Sequence, residues 1–153
     1  MSILGFVLVV FGSFGRIWAS LYIEGNKTKN LVTSGPFSIV RNPLYFFSLI
    51  MLLGFSLALK AIYLPLALLL IFVIFHIPTI ANEERKLRTN HGDKFESYMK
   101  STPRLIPNVF KYKRPEKGEK VLVKISRING VLIEVIGYLF LYTLIDIIYF
   151  ILD

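Results

Sequence analysis

Side chains that could take part in chemistry are gathered in two polar stretches of this sequence. The first stretch contains Arg41 and Asn42, and the second contains the adjacent carboxylates Glu83 and Glu84. An arginine can hold a carboxylate through two parallel hydrogen bonds, and a glutamate can bind a cationic group or accept a proton. The chain has no cysteine and only two histidines, so thiol nucleophiles are excluded and we predict no metal site.

The same stretches also have structural interpretations. Ser34-Gly35-Pro36 is typical of a turn. Asn42-Pro43 is typical of a helix start, with Asn42 as the N-cap and Pro43 at the first helical position. Glu84 and Arg88 have the i,i+4 spacing of a helical ion pair, which is worth only ~0.2–0.5 kcal/mol.

Helix-breaking and helix-capping residues divide the second polar stretch into short elements. Pro78 is expected to kink or end the helix before it, although residues 82–87 are expected to continue that helix. Gly92 should stop it, and Asp93 should cap the next helix with Glu96 three positions on. Pro103 and Pro107 predict an extended segment between them, because each proline disfavours helix in the residue before it.

The composition shows which kind of protein these elements must build. The 153 residues are 54% hydrophobic and 14% aromatic, with a net charge of +8 and a mean hydropathy of +0.60. Such apolar content excludes a disordered chain and a nucleic-acid-binding tail, and it argues against a soluble enzyme. The apolar residues form long blocks separated by charged gaps, which is the pattern of a membrane protein.

Four of these blocks are candidates for membrane spans: residues 3–23, 44–59, 61–80 and 130–152. At ~1.5 Å per residue, about 20 residues cover the ~30 Å hydrocarbon layer. The first block has no basic stretch before it and no small-residue cleavage site, so we predict a retained helix rather than a signal peptide. The sequence therefore predicts an all-α integral membrane protein with four transmembrane helices, a central helical hairpin and a single domain over residues 1–153.

Basic residues predict how these spans are oriented. The gap from 78 to 129 holds 13 of the 18 lysines and arginines, and the gap from 24 to 43 holds three more. Basic residues favour the cytoplasmic side, so residues 24–43 and 81–129 are predicted to be cytoplasmic and the turn at Lys60 external. The positive charge indicates attraction to anionic lipid headgroups rather than to nucleic acid.

Polar residues inside the spans predict helix contacts. On a helical wheel, one face of the first span carries small and polar residues: Gly5, Gly12, Ser13, Arg16, Ala19 and Ser20. The last span carries Glu134, Tyr138, Tyr142, Asp146 and Tyr149 in one stripe. Because buried charges are costly in a bilayer, we expect partners for them, and Arg16 and Glu134 lie at similar depths. A structural ion pair, a role in the site and an assembly contact remain open for these acidic residues.

Several motifs occur in a fixed order around the predicted hairpin. They are GRIWA at 15–19, LVTSGPFSIVRNPLY at 31–45, EERKL at 83–87, HGDKFESY at 91–98 and PRLIP at 103–107. Their order and spacing resemble those of the isoprenylcysteine carboxyl methyltransferase and phospholipid methyltransferase family of integral membrane enzymes. The resemblance covers about half of the chain.

The resemblance implies S-adenosylmethionine as methyl donor, bound at the cytoplasmic membrane surface, and a lipophilic or lipid-linked acceptor that arrives from the bilayer. It implies Arg41 and Glu84 as catalytic residues. The cofactor-binding residues that it implies are Gly35, Asn42, Pro43, Tyr45, Glu83, Glu84, Leu87, Tyr98 and Arg104. The family often has histidine where Asn42 stands, and because asparagine does not titrate near neutral pH, Asn42 is excluded as a general base.

The sequence leaves the chemical identity of the methyl acceptor open. A carboxylate needs no base and is the favoured acceptor, with Arg41 to orient it, whereas an aminophospholipid would need a glutamate to take its proton. Phe47 stands where the family commonly has a small residue, and it is expected to narrow a pocket or shift the acceptor. A noncatalytic membrane scaffold or transport subunit is the alternative from a different functional class.

Overall fold

A computed structural model describes residues 3–23, 30–59, 63–115 and 125–152, with the side chains of 125–128, 149, 150 and 152 left out. Across these ranges the regular structure is helical, as predicted. The helices are α1 (Ile3–Ile23), α2 (Pro36–Ile39), α3 (Pro43–Ala58), α4 (Leu64–His91), α5 (Asp93–Ser101), a short 3-10 helix (Val109–Lys111) and α6 (Ile125–Leu152). The predicted turn at Lys60 lies outside the described residues, as do parts of both predicted cytoplasmic segments.

Three helices are long and apolar enough to cross a membrane: α1, α4 and residues 129–148 of α6. The fourth apolar helix, α3, has 16 residues and so a length of about 24 Å, less than the ~30 Å hydrocarbon layer. The predicted set of four apolar helices is therefore confirmed, with α3 shorter than its neighbours.

Helices α1 and α3 approach each other closely along small residues. A Cβ atom on Gly5 would lie 2.8 Å from the carbonyl oxygen of Gly54, and one on Gly54 would lie 2.7 Å from that of Gly5. Small residues allow such close backbone packing in membranes. Gly12 and Ser13 belong to the predicted small and polar face of α1 and are buried, as Gly5 is. The prediction of this face is therefore confirmed.

Helix α6 completes the bundle against α1 and α3. Val9, Ala58 and Tyr142 form a buried cluster where the three helices meet. Large apolar side chains cover the outer surface of the bundle, for example Ile74 and Phe75 on α4. Such a surface matches a hydrocarbon environment rather than water.

Helix α4 contains Pro78 and continues to His91. A helix end at Pro78 is therefore wrong, whereas the predicted continuation through residues 82–87 is confirmed. Pro78 removes only the N–H that would donate to the Ile74 carbonyl, and membrane helices tolerate such a loss. Gly92 does end α4, with φ +50°, a conformation that favours glycine.

Helix α5 begins one residue earlier than the capping prediction requires. Asp93 is the first helical residue and Gly92 occupies the N-cap position. Glu96 does not complete a capping box, since its carboxylate pairs with Arg88 at 2.7 Å. That contact links α4 to α5 instead.

The segment after α5 folds back along the α2–α3 junction. Arg41 N–H donates to the Pro103 carbonyl, Asn108 N–H to Ile39, and Gly35 N–H to Lys113, each at 2.8 Å. Residues 103–108 carry no helix or strand, but residues 104–106 form bends, so the predicted extended segment is wrong. This backbone ladder brings the PRLIP segment beside Arg41 and Asn42.

Candidate functional site

The candidate site lies where α2, α3, α4 and α5 meet at one end of the bundle. The turn into α2 requires Gly35, whose φ is +58° and whose added Cβ would overlap the ring of Tyr22. Pro43 begins α3 and Asn42 occupies its N-cap position, as predicted. The Asn42 side chain does not cap the helix, which leaves it available for contacts within the site.

Glu84 is the centre of a polar cluster. Asn42 Nδ2 donates to Glu84 Oε1 at 3.0 Å and to the Arg104 carbonyl at 3.1 Å. The Nε atoms of Arg41 and Arg104 lie 3.4 and 3.1 Å from the Glu84 carboxylate, whose side chain is only 13% exposed. The predicted Glu84–Arg88 pair is thus replaced by pairing to Arg41 and Arg104, because the tertiary fold brings closer cations than the helix does.

Two hydrogen-bond donors in this cluster have no acceptor among the described residues. The buried Nε–H groups of Arg41 and Arg104 have no hydrogen-bond acceptor among the described residues, although both lie within ion-pair distance of Glu84. Buried donors without acceptors are costly and call for an explanation. For Arg41, an anionic ligand in the adjoining cavity is such an explanation.

A second acidic group lies beside the first on α4. The Tyr45 hydroxyl donates to Glu83 Oε1 at 3.0 Å. The ring of Tyr45 also makes an edge contact with His76, with ring centroids 5.6 Å apart. Glu83 is exposed, unlike Glu84, so the two neighbouring carboxylates occupy different environments.

Tyr98 closes the site from α5. Its side chain is 7% exposed, and its hydroxyl donates to the Phe37 carbonyl at 2.6 Å. Burial raises the pKa of the Tyr98 hydroxyl well above its ordinary value. Tyr98 therefore stays neutral and holds α5 against α2.

These elements enclose a cavity lined by both polar and apolar residues. Its lining comprises Ile23, Asn30, Leu31, Val32, Phe37, Arg41, Asn42, Pro43, Leu44, Tyr45, Glu83, Leu87 and Tyr98. The cavity volume is about 100 Å³, below the ~300–1,000 Å³ usual for ligand pockets. A cofactor-sized ligand bound here would extend out of the cavity or widen it.

The cavity brings together most of the predicted site residues. Arg41, Asn42, Pro43, Tyr45, Glu83, Leu87 and Tyr98 all line it. Glu84 and Arg104 line a neighbouring cleft on the other side of the cluster. Gly35 lines neither, because its place in the turn is set by Tyr22 and Lys113.

The prediction did not include the apolar part of the lining. Leu31, Val32 and Phe37 lie within the motif at 31–45. Because apolar residues are equally common in a protein core, their residue types alone do not identify them as cavity lining. In the described residues, no group of three or more histidine and acidic side chains could hold a metal ion.

Phe47 does not narrow this cavity, contrary to expectation. Its side chain is 4% exposed, packs into the α1–α3 contact beside Gly15, and meets the ring of Phe11 with centroids 5.9 Å apart. Phe47 lies one helical turn beyond Pro43 on a different face of α3 from Tyr45. A large residue here fills the space that Gly15 leaves open.

Comparison with known proteins supplies a family and two relatives. A family model described as phospholipid methyltransferase matches residues 1–94. The chain is 34% identical over 110 residues to the cobalt-zinc-cadmium resistance protein CzcN of Cupriavidus metallidurans, a match covering 72% of this chain and 50% of that protein. It is 33% identical over 105 residues to the nickel-cobalt-cadmium resistance protein NccN of Alcaligenes xylosoxydans xylosoxydans, covering 69% and 49%.

The chain thus spans about half the length of these curated relatives. No solved structure matches it. The family match contains the Arg41–Asn42 junction and the two glutamates but ends before Tyr98 and Arg104.

Proposed function

Because the chain belongs to the phospholipid methyltransferase family, we propose that it transfers a methyl group from S-adenosylmethionine to a lipophilic acceptor at the cytoplasmic membrane surface. The cytoplasmic placement rests on the distribution of lysine and arginine. The observation that carries the proposal is the junction itself: the start of α3 and the end of α4 bring Arg41, Tyr45 and Glu83 around one cavity at the end of an apolar bundle.

The lining matches the chemical groups of S-adenosylmethionine. The carboxylate of Glu83 suits the ammonium or ribose hydroxyls of the cofactor, and the buried Nε–H of Arg41 suits its carboxylate. Leu31, Val32 and Leu87 offer an apolar surface for the adenine ring. When bound, the cofactor would supply a methyl group activated by a sulfonium ion.

The roles of the two glutamates differ in this proposal. Glu83 contacts the cofactor, whereas Glu84 holds Arg41 and Asn42 in place from behind the cavity. The remaining requirement of methyl transfer is alignment of the acceptor and exclusion of water. Tyr98 serves the second need by sealing α5 over the site.

Two acceptor chemistries remain as proposals, and the family match favours a phospholipid. A carboxylate acceptor would have to share Arg41 with Glu84 and with the carboxylate of the cofactor. An amine must lose a proton, and the Glu83 carboxylate at the cavity has a second oxygen, Oε2, besides the one that accepts from Tyr45. We therefore place an aminophospholipid ahead of an acidic, isoprenylcysteine-like acceptor.

Cofactor binding to the purified protein in detergent tests the first part of the proposal. Calorimetry should detect S-adenosylmethionine binding to the wild type, and Glu83→Gln should weaken it by about 10–100-fold, since one charged hydrogen bond is worth ~1.5–3 kcal/mol. Asp93→Asn is the matched control, because Asp93 is exposed and lies outside the cavity. Equal binding by wild type and Glu83→Gln would remove Glu83 from the site.

Methyl-labelled cofactor distinguishes the acceptors. Label transferred to phosphatidylethanolamine should remain bound after mild base, whereas label on a farnesylated cysteine carboxylate should leave as methanol. A base-stable product is the expected result. A base-labile product would restore the carboxylate acceptor and require Arg41 to act in substrate binding.

A second candidate function is a noncatalytic membrane component in resistance to divalent metal ions. The names of CzcN and NccN as metal resistance proteins favour it. A protein with this role would not bind S-adenosylmethionine in the calorimetric experiment, yet its loss would still lower the metal tolerance of cells. Lowered metal tolerance on loss of a protein that shows no binding of S-adenosylmethionine would support this candidate.

A further inference from the structure

An exposed apolar loop projects beside the bundle, away from the candidate site. Ile106 is 82% exposed, Val109 64% and Phe110 97%, and these residues lie outside the predicted membrane spans. Large apolar side chains gathered in one exposed patch mark an interaction surface. We call residues 106–114 the interfacial loop.

The exposure of Phe110 follows from the way the loop is held. The Asn108 side chain accepts from the Phe110 N–H at 3.2 Å, and Lys111 Nζ donates to the Ser101 carbonyl at 2.6 Å. Asn108 is itself tied to Ile39 through its own N–H. These bonds fix the 3-10 turn with the Phe110 ring pointing outward.

The loop lies at the depth of a membrane surface. Tyr112 contacts Trp18, with ring centroids 6.2 Å apart. Trp18 is five residues before Ile23, where α1 ends, so it lies about 7.5 Å inside that end of the helix. Tryptophan and tyrosine at this depth are typical of the lipid headgroup region.

Basic and hydroxyl side chains surround the apolar tip. Lys111, Lys113 and Arg114 are exposed in the loop. An open cavity of about 700 Å³ separates the loop from α5, and Lys94, Lys111, Lys113, Ser97 and Ser101 help to line it. Ammonium and hydroxyl donors of this kind match the phosphate groups of lipids.

We propose that the interfacial loop inserts Phe110 and Val109 among the lipids of an anionic membrane surface while its lysines bind lipid phosphates. The apolar tip and the basic rim fit this occupant together, because basic residues are attracted to an anionic membrane surface and buried apolar side chains strengthen the binding. Such anchoring would hold the 103–113 segment, and thereby the site, at the bilayer surface. The inference does not depend on methyl transfer.

A single tryptophan at the tip tests the insertion. Trp18 is the one tryptophan in the chain, so Phe110→Trp in a Trp18→Phe background reports on position 110 alone. In phosphatidylcholine vesicles with 30% phosphatidylglycerol, acyl-brominated lipid should quench this tryptophan at least twofold more than it quenches Thr89→Trp in the same background. Thr89 is the matched control, because it is exposed near the extramembrane end of α4.

Aqueous acrylamide should show the opposite order, with Thr89→Trp quenched more strongly. A tip tryptophan quenched like the control would overturn the proposal by placing the loop in water. A tip tryptophan shielded from both quenchers would overturn it as well, because the loop would then contact protein.

Charge variants test the anionic component. Lys113→Gln with Arg114→Gln should reduce the extra quenching gained from phosphatidylglycerol by at least half, and 1 M salt should act in the same direction. Arg85→Gln with Lys86→Gln removes the same charge from α4 and should leave the gain unchanged. An equal loss in both double variants would indicate a general charge effect and contradict binding by this loop.

Discussion

Arg16 Nη2 donates to Glu134 Oε2 at 2.8 Å and joins two helices whose residues are 118 positions apart in the chain. The Nη1 of the same guanidinium donates to Ser48 Oγ at 2.8 Å. One arginine thus connects α1 to both α3 and α6. The ion pair that was one of the expectations for Arg16 is present, and it acts within the bundle rather than at the cavity.

We predict that this pair stabilises the bundle as a unit. Arg16→Met or Glu134→Met should each lower the stability by about 1.5–3 kcal/mol, the cost of a lost hydrogen bond to a charged group. The double variant should lose less than the sum of both, because neither charge is then left unpaired. Thermal unfolding in detergent of the wild type, both single variants and the double variant measures this double-mutant cycle. Additive losses would mean that the contact contributes nothing to stability.

Glu84 is expected to be a stability residue as much as a site residue. Glu84→Gln leaves Arg41 and Arg104 without a counter-charge, so it should destabilise the protein by about 3–5 kcal/mol, as for other broken buried pairs. Glu83→Gln should change the melting temperature little, since Glu83 is exposed. Comparing both variants by thermal unfolding checks this contrast, and similar melting temperatures would contradict it.

The helices and the Arg16–Glu134 contact could be predicted because they depend on properties of single segments. Residues 3–23 are predominantly apolar with Arg16 as the one charge, and α1 has the predicted bounds. Helical periodicity places Arg16 on the small-residue face, and similar depth in the membrane makes Glu134 one possible partner, which the structure confirms. No long-range folding information is needed for either step.

The partners of Glu84 could not be predicted in this way. Helix spacing offers Arg88, but Arg104 reaches Glu84 only because residues 103–108 fold back onto residues 39–41 through backbone hydrogen bonds. The same fold-back draws the Asn42 side chain away from its capping role. Residue patterns within one segment do not indicate that an irregular segment such as 103–108 folds back onto a distant part of the chain.

Tyr98 gives the stability a specific pH dependence. Burial raises the pKa of its hydroxyl above the ordinary value near 10, so its contribution is complete below about pH 10 and decreases as the pH rises further. At pH 8, Tyr98→Phe should cost about 1–3 kcal/mol, because the Phe37 carbonyl loses its donor. The difference in melting temperature from wild type should shrink at pH 11, and a constant difference would contradict the assignment.

Because α3 is shorter than the other apolar helices, the membrane topology tests whether it crosses the bilayer. Basic-residue counts predict that a reporter fused after Asp153 or inserted at 60–61 lies outside, and that one inserted near Lys113 lies inside. Alkaline phosphatase and green fluorescent protein reporters distinguish the sides. A reporter at 60–61 on the inside would show that α3 does not cross the membrane and would refute the four-span arrangement.

Gly15 and Phe47 are predicted to be energetically coupled. A Cβ atom at Gly15 would overlap the Phe47 ring, and overpacking of this kind costs about 1–3 kcal/mol, so Gly15→Ala should lower the melting temperature in detergent. Phe47→Leu should be mildly destabilising alone but should recover much of the loss when combined with Gly15→Ala, because the smaller side chain makes room for the methyl group. Gly137→Ala on α6 is the matched control: no atom lies within 4 Å of its added Cβ, and alanine favours helix over glycine by about 0.5–1 kcal/mol, so this variant should be as stable as wild type or more so. If Gly15→Ala behaves like Gly137→Ala, the α1–α3 contact is looser than the distances between these residues indicate.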